Sequence, residues 1–107
     1  MPLIIKQFKF KIGRDVADTI RKAIDLTLEK GEVQDDNDRL LFAALAEISH
    51  LLYMKLGKGI MELKLTLSPT QAIALRLFYF DYVNDVTSYE GNQLFRLSNK
   101  IAKEMGL

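Results

Sequence analysis

Two stretches of the chain, FKFKIGRDVA from Phe8 and LKLTLSPTQA from Leu63, share one pattern of apolar and polar positions. In the first, Phe8, Phe10 and Ile12 alternate with Gln7, Lys9 and Lys11. In the second, Met61, Leu63, Leu65 and Leu67 alternate with Glu62, Lys64 and Thr66. A period of two sends successive side chains to opposite sides of an extended backbone, so each run predicts a strand with one buried face. Both runs end where a helix should begin. After Leu67, Ser68 can accept from free backbone N–H groups, Pro69 suits the first helical position because no partner is lost there, and Gln71 completes a capping box.

Beyond each strand the period changes to 3.6. Val16, Ile20, Ala23, Ile24, Thr27 and Leu28 line one side of a helix over residues 14–30, whose other side is charged. Leu41, Ala44, Leu45, Ile48, Leu51 and Leu52 form a wider apolar surface over residues 38–56, which places that helix centrally. A third helix is predicted over 69–84. A fourth runs from about residue 88, behind a capping box from Thr87 to Glu90, through Leu94, Leu97, Ile101 and Met105. Gly13, Gly31, Gly57, Gly59 and Gly106 fall between or after these segments, where turns and helix ends need them.

The chain therefore consists of two strand-helix-helix units in tandem, an internal pseudo-repeat over 1–57 and 58–107. Leu41, Phe42 and Ile48 of the second helix are echoed by Leu94, Phe95 and Ile101 of the fourth. Two strands that each carry one apolar face should pair antiparallel about a pseudo-two-fold and lay those faces on the helices. The expected fold is α+β: a single domain with a two-stranded antiparallel ribbon on a four-helix layer. A two-stranded ribbon is marginal alone, so the helices or another chain must support it.

This arrangement resembles the ribbon-helix-helix family of DNA-binding proteins, in which two such units join through an antiparallel ribbon whose outward side chains enter the major groove. One chain would here imitate that dimer. The resemblance implies nucleic-acid contacts by Gln7, Lys9 and Lys11 from the first strand and by Lys64 and Thr66 from the second, with Glu62 among them. The family's phosphate contact at the start of each second helix falls in the first unit near Asp35, Asp36 and Asp38, whose charges repel DNA.

Composition narrows the chemistry. The 107 residues contain no cysteine, which removes disulfides, thiolate metal sites and a cysteine nucleophile and suits a reducing, cytoplasmic setting. Fifteen Lys plus Arg against fourteen Asp plus Glu leave a net charge of +1, which neither requires nor forbids an anionic partner. The apolar start MPLIIKQF is too short for a signal-peptide core, and the apolar run from Leu41 to Leu56 is broken by Glu47, His50 and Lys55, so no membrane association is expected. The single histidine, His50, lies off the apolar side of its helix and reads as an exposed residue rather than a base or ligand. The DDND run lacks the glycine and bidentate glutamate of a calcium loop and reads as helix capping. No enzyme, metal or cofactor is expected.

The segment AIALRLFYFDYV is apolar or aromatic at nearly every angular position from Ala72 to Val83. Such a helix is either enclosed within its own domain or covered on its outer side by another subunit. Phe78, Tyr79, Phe80 and Tyr82 are the aromatics expected at a partner contact. The function expected is thus a small noncatalytic protein that self-associates and acts through protein contacts, with DNA binding by the lysine-bearing ribbon as the alternative.

Overall fold

A computed structural model describes residues 7–83, 87–104 and 106. The elements occur in the order β1 (Phe8–Gly13), α1 (Arg14–Lys30), α2 (Asp36–Leu56), β2 (Glu62–Leu67), α3 (Pro69–Phe78) and α4 (Tyr89–Glu104), with a π-helical turn over Tyr79–Val83 continuing α3. The class is α+β, with one two-stranded antiparallel sheet.

The ribbon forms in the register that buries both apolar faces. Phe8 lies opposite Leu67, Phe10 opposite Leu65 and Ile12 opposite Leu63, and all six side chains are buried. A slip of one residue would exchange them for the lysines, which fixes the pairing. Phe10 and Leu65, which hold equivalent places in the two phrases, face each other directly. The equivalence continues into the helices: Ala17 and Ile20 in α1 and Ala72 and Leu75 in α3 are all buried. So are Leu41 and Ile48 in α2, with Leu94 and Ile101 in α4. Beyond Gly13 the backbone N–H of Arg14 donates to Met61 O at 2.8 Å, which ties the start of α1 to the start of β2.

Helix starts follow local chemistry. The Gln71 N–H donates to Ser68 Oγ at 3.2 Å and the Ser68 N–H donates to Gln71 Oε1 at 3.0 Å, the reciprocal capping box read from the sequence. Asp35 caps α2 by accepting from the Asp38 N–H at 2.9 Å, while Asp38 Oδ2 accepts from the Gln34 N–H at 3.1 Å. The acidic run is a cap, and because Asp35 is the capping residue the helix begins at Asp36, two residues ahead of the expected start. At the start of α4, Ser88 Oγ accepts from the Gly91 N–H at 3.0 Å, and the expected Thr87–Glu90 capping box involves a side chain outside the described residues. The Glu90 side chain, Asn84 and Met105 lie outside the described residues.

Helix α2 is central: it packs on α1, α3 and β2 and buries residues from Leu41 to Leu56. Helix α1 keeps its charged side outward, where Asp18 pairs with Arg21 and Lys22 and Asp25 pairs with Arg21. Hydrogen bonds and positive charge from Lys22 and Arg21 hold the Asp18 carboxyl below its usual value of 3.8.

Candidate functional site

The aromatic run beginning at Phe78 is divided by the helix it forms. Phe78 and Tyr79 are 0% and 2% exposed and belong to the core, which corrects their expected role as partner contacts. Tyr79 packs against Phe95 of α4, with ring centroids 5.5 Å apart. Phe80 and Tyr82 are each 42% exposed and remain at the surface. The π turn contributes to this division. In an uninterrupted α-helix, Tyr82 would follow Leu75 and Phe78 inward at i+7 and i+4. The wider turn carries it instead to the edge of the core, where its ring meets Phe42 edge-on at 6.0 Å and stacks on Phe78 at 6.2 Å.

The outer side of α3 presents a stripe that the sequence analysis did not separate from the inner one. Ile73, Leu77 and Phe80 succeed one another at i, i+4 and i+7, and all three are exposed. Beside them Leu40 of α2 is 63% exposed. Between the helices lies an open groove of about 500 Å³, whose bottom is Leu41, Ala44 and Ala74 and whose ends are Asn37 and Thr70. Among the described residues no charged side chain lines it. At the far end of the stripe the Arg76 guanidinium lies over the Phe80 ring, 5.3 Å from its centroid. Near the start of α3, the Gln71 amide reaches α2 by donating to Glu47 at 3.1 Å.

Burial, then the negative charges of Asp38, Asp81 and Asp35, push the Tyr82 phenol above its ordinary value of 10.0. The raised value means that the folded chain favours the neutral phenol. The resulting stability is complete below pH 10.0 and is lost as pH rises through the folded-state value. An ultraviolet titration of wild type against Tyr82→Phe should therefore differ by a component that ionises above the ordinary phenol value. A difference spectrum titrating at or below that value would show that the ring is not held in this setting.

The ribbon's outward face carries the residues assigned to it. Gln7, Lys9, Lys11, Glu62 and Lys64 are exposed and Thr66 is half-buried. Lys9 lies opposite Thr66, and Lys11 directly opposite Lys64. No ion pair among the described residues involves these lysines.

A serine, an aspartate and the histidine do converge, at a shallow depression lined by Asp25, Ser49 and His50 with Arg21 and Tyr53. Ser49 Oγ donates to Asp25 Oδ1 at 2.5 Å, and no hydrogen bond joins it to the exposed His50 among the described residues. The Ser49–Asp25 hydrogen bond ties α2 to α1, and the Ser49 hydroxyl is bound to a carboxylate rather than to the imidazole that would take its proton. Among the described residues no group of three or more metal-ligating side chains gathers, and no helix is long and apolar enough to cross a membrane.

No protein-family model, curated protein or solved structure matches the chain.

Proposed function

We propose that the chain is a noncatalytic interaction module that self-associates through the outer side of α3, in the cytoplasmic setting that suits a protein without cysteine. The observation that supports this reading is the stripe of Ile73, Leu77 and Phe80 beside the uncharged groove and Leu40. A second copy is the occupant that fits. A two-fold contact sets one patch against itself, and a groove lined without charge meets its copy without like-charge repulsion. With the two-fold near Leu77, Ile73 of one copy lies against Phe80 of the other. Arg76, already over the Phe80 ring, stays at the wet rim.

Sedimentation equilibrium over a wide concentration range tests this. Wild type should shift reversibly from monomer to dimer, and Leu77→Lys should weaken the dimer at least about tenfold, since it places two ammonium groups near the two-fold in an apolar contact. Leu77 is exposed in the single chain, so the variant should keep the wild-type fold by circular dichroism. A wild type that stays monomeric throughout, or a Leu77→Lys protein that assembles unchanged, would defeat the reading.

The second reading, duplex DNA binding by the ribbon, is favoured by Lys9, Lys11 and Lys64 on one outward face. Against it stand Glu62 at the ribbon's end and the acidic cap of α2, which lie where supporting phosphate contacts would be needed.

A further inference from the structure

We propose that the cleft between β1 and α4 is a binding site for a phosphoryl group. Three cations converge there from two elements: Lys11 from the end of β1, and Arg96 and Lys100 one turn apart on α4. The cleft has a volume of about 390 Å³, and among the described residues no carboxylate lines it. None of the three cations forms an ion pair among the described residues. The carboxylate of Asp15, close to Gly13, accepts from Tyr89 Oη at 3.2 Å and lines the neighbouring depression with Arg14 and Asp18.

Among the described residues, then, like charges gather with no carboxylate paired to them, and Lys64 opposite Lys11 adds to the same positive field. Such an arrangement is favourable once an anion with several acceptor oxygens occupies it. Arg96 offers a planar fork to two of those oxygens, while Lys11 and Lys100 supply point charges from either side. Gln93 and Asn99 add amide donors at the rim, and Val16 and Leu97 supply apolar wall. This chemistry suits the phosphate of a discrete ligand or of a nucleic-acid backbone. It also lies apart from the second-helix start, where Asp35, Asp36 and Asp38 would oppose phosphate in the first unit. The proposal is independent of self-association, since the α3 stripe shares no residue with the cleft.

Calorimetric titration with pyrophosphate, and separately with a short DNA duplex, tests it on wild type, Arg96→Ala/Lys100→Ala and Lys58→Ala. Arg96 and Lys100 are exposed on α4 and alanine favours helix, so the double variant should keep its fold, checked by its melting curve. At least one probe should bind saturably and lose about tenfold or more in affinity in the double variant, while Lys58→Ala in the turn after α2 binds as wild type. Pyrophosphate binding that ignores a further Lys9→Ala change identifies a discrete phosphorylated ligand. Duplex binding that Lys9→Ala weakens further identifies a nucleic-acid backbone crossing the ribbon. Absence of saturable binding by both probes, a double variant that binds like wild type, or an equal loss in Lys58→Ala would overturn the site.

Discussion

Replacing Phe78 with alanine is expected to lower the free energy of unfolding by about 3–5 kcal/mol. The ring is fully enclosed within the single chain and stacks on Tyr82, so truncation removes its burial and leaves a cavity that α2 and α4 cannot fully close. Leu77, one position earlier, is exposed and should cost within about 0.5 kcal/mol when changed to alanine, provided that unfolding is measured where the protein is monomeric. Urea denaturation at low protein concentration measures both. Equal losses at the two positions would mean that the inner and outer sides of α3 have been misassigned. Tyr79→Glu belongs with Phe78: its carboxylate would enter the core, so the variant should unfold the chain rather than merely dissociate it.

Gly31→Ala should destabilise the protein by about 1–3 kcal/mol, the range for overpacking. Gly31 ends α1 with φ −72° and ψ 138°, ordinary extended backbone, so a left-handed conformation is not what requires glycine there. Space is the reason. A Cβ at Gly31 would lie 2.5 Å from Phe42 Cζ and 2.7 Å from Thr27 O. The phenyl ring could move, at the expense of its contact with Tyr82, but the carbonyl belongs to the last turn of α1 and accepts from the Gly31 N–H at 2.7 Å. The Phe42→Ala background separates the two contributions. There Gly31→Ala should cost less than in wild type, and the residual cost reports the carbonyl. An additive pair would show that the ring does not press on this glycine, and a neutral Gly31→Ala would show that the junction has room. Gly59 differs: its φ of 71° is a conformation that side chains rarely adopt, and a Cβ there would meet nothing within 4 Å.

Much of the fold was legible in the sequence because the signals are local and redundant. Alternation over Phe8, Phe10 and Ile12 and over Leu63, Leu65 and Leu67 leaves one register that buries all six, and that register is the one formed. Ser68 and Gln71 cap α3 through atoms three residues apart, so their chemistry needs no distant partner. The exposed ribbon lysines follow from the same alternation.

The candidate sites depended on what distant segments bring together. From Ala72 to Val83 nearly every residue is apolar, so periodicity could not say which side of α3 faces inward; the packing of α2 and α4 decided it, burying Phe78 and Tyr79 and leaving Ile73, Leu77 and Phe80 outside. The π turn lay beyond sequence reasoning for a related reason, because 3.6-residue spacing presumes an uninterrupted helix. Arg96 and Lys100 drew no notice as two cations on the polar side of an amphipathic helix, far in sequence from Lys11. Only the packing of α4 beside the end of β1 makes the three neighbours, because charge convergence is a property of distances in space. Alternation and capping act within a few residues and are written in the chain, whereas the inner side of an all-apolar helix and the meeting of separate charges are fixed only when the elements pack.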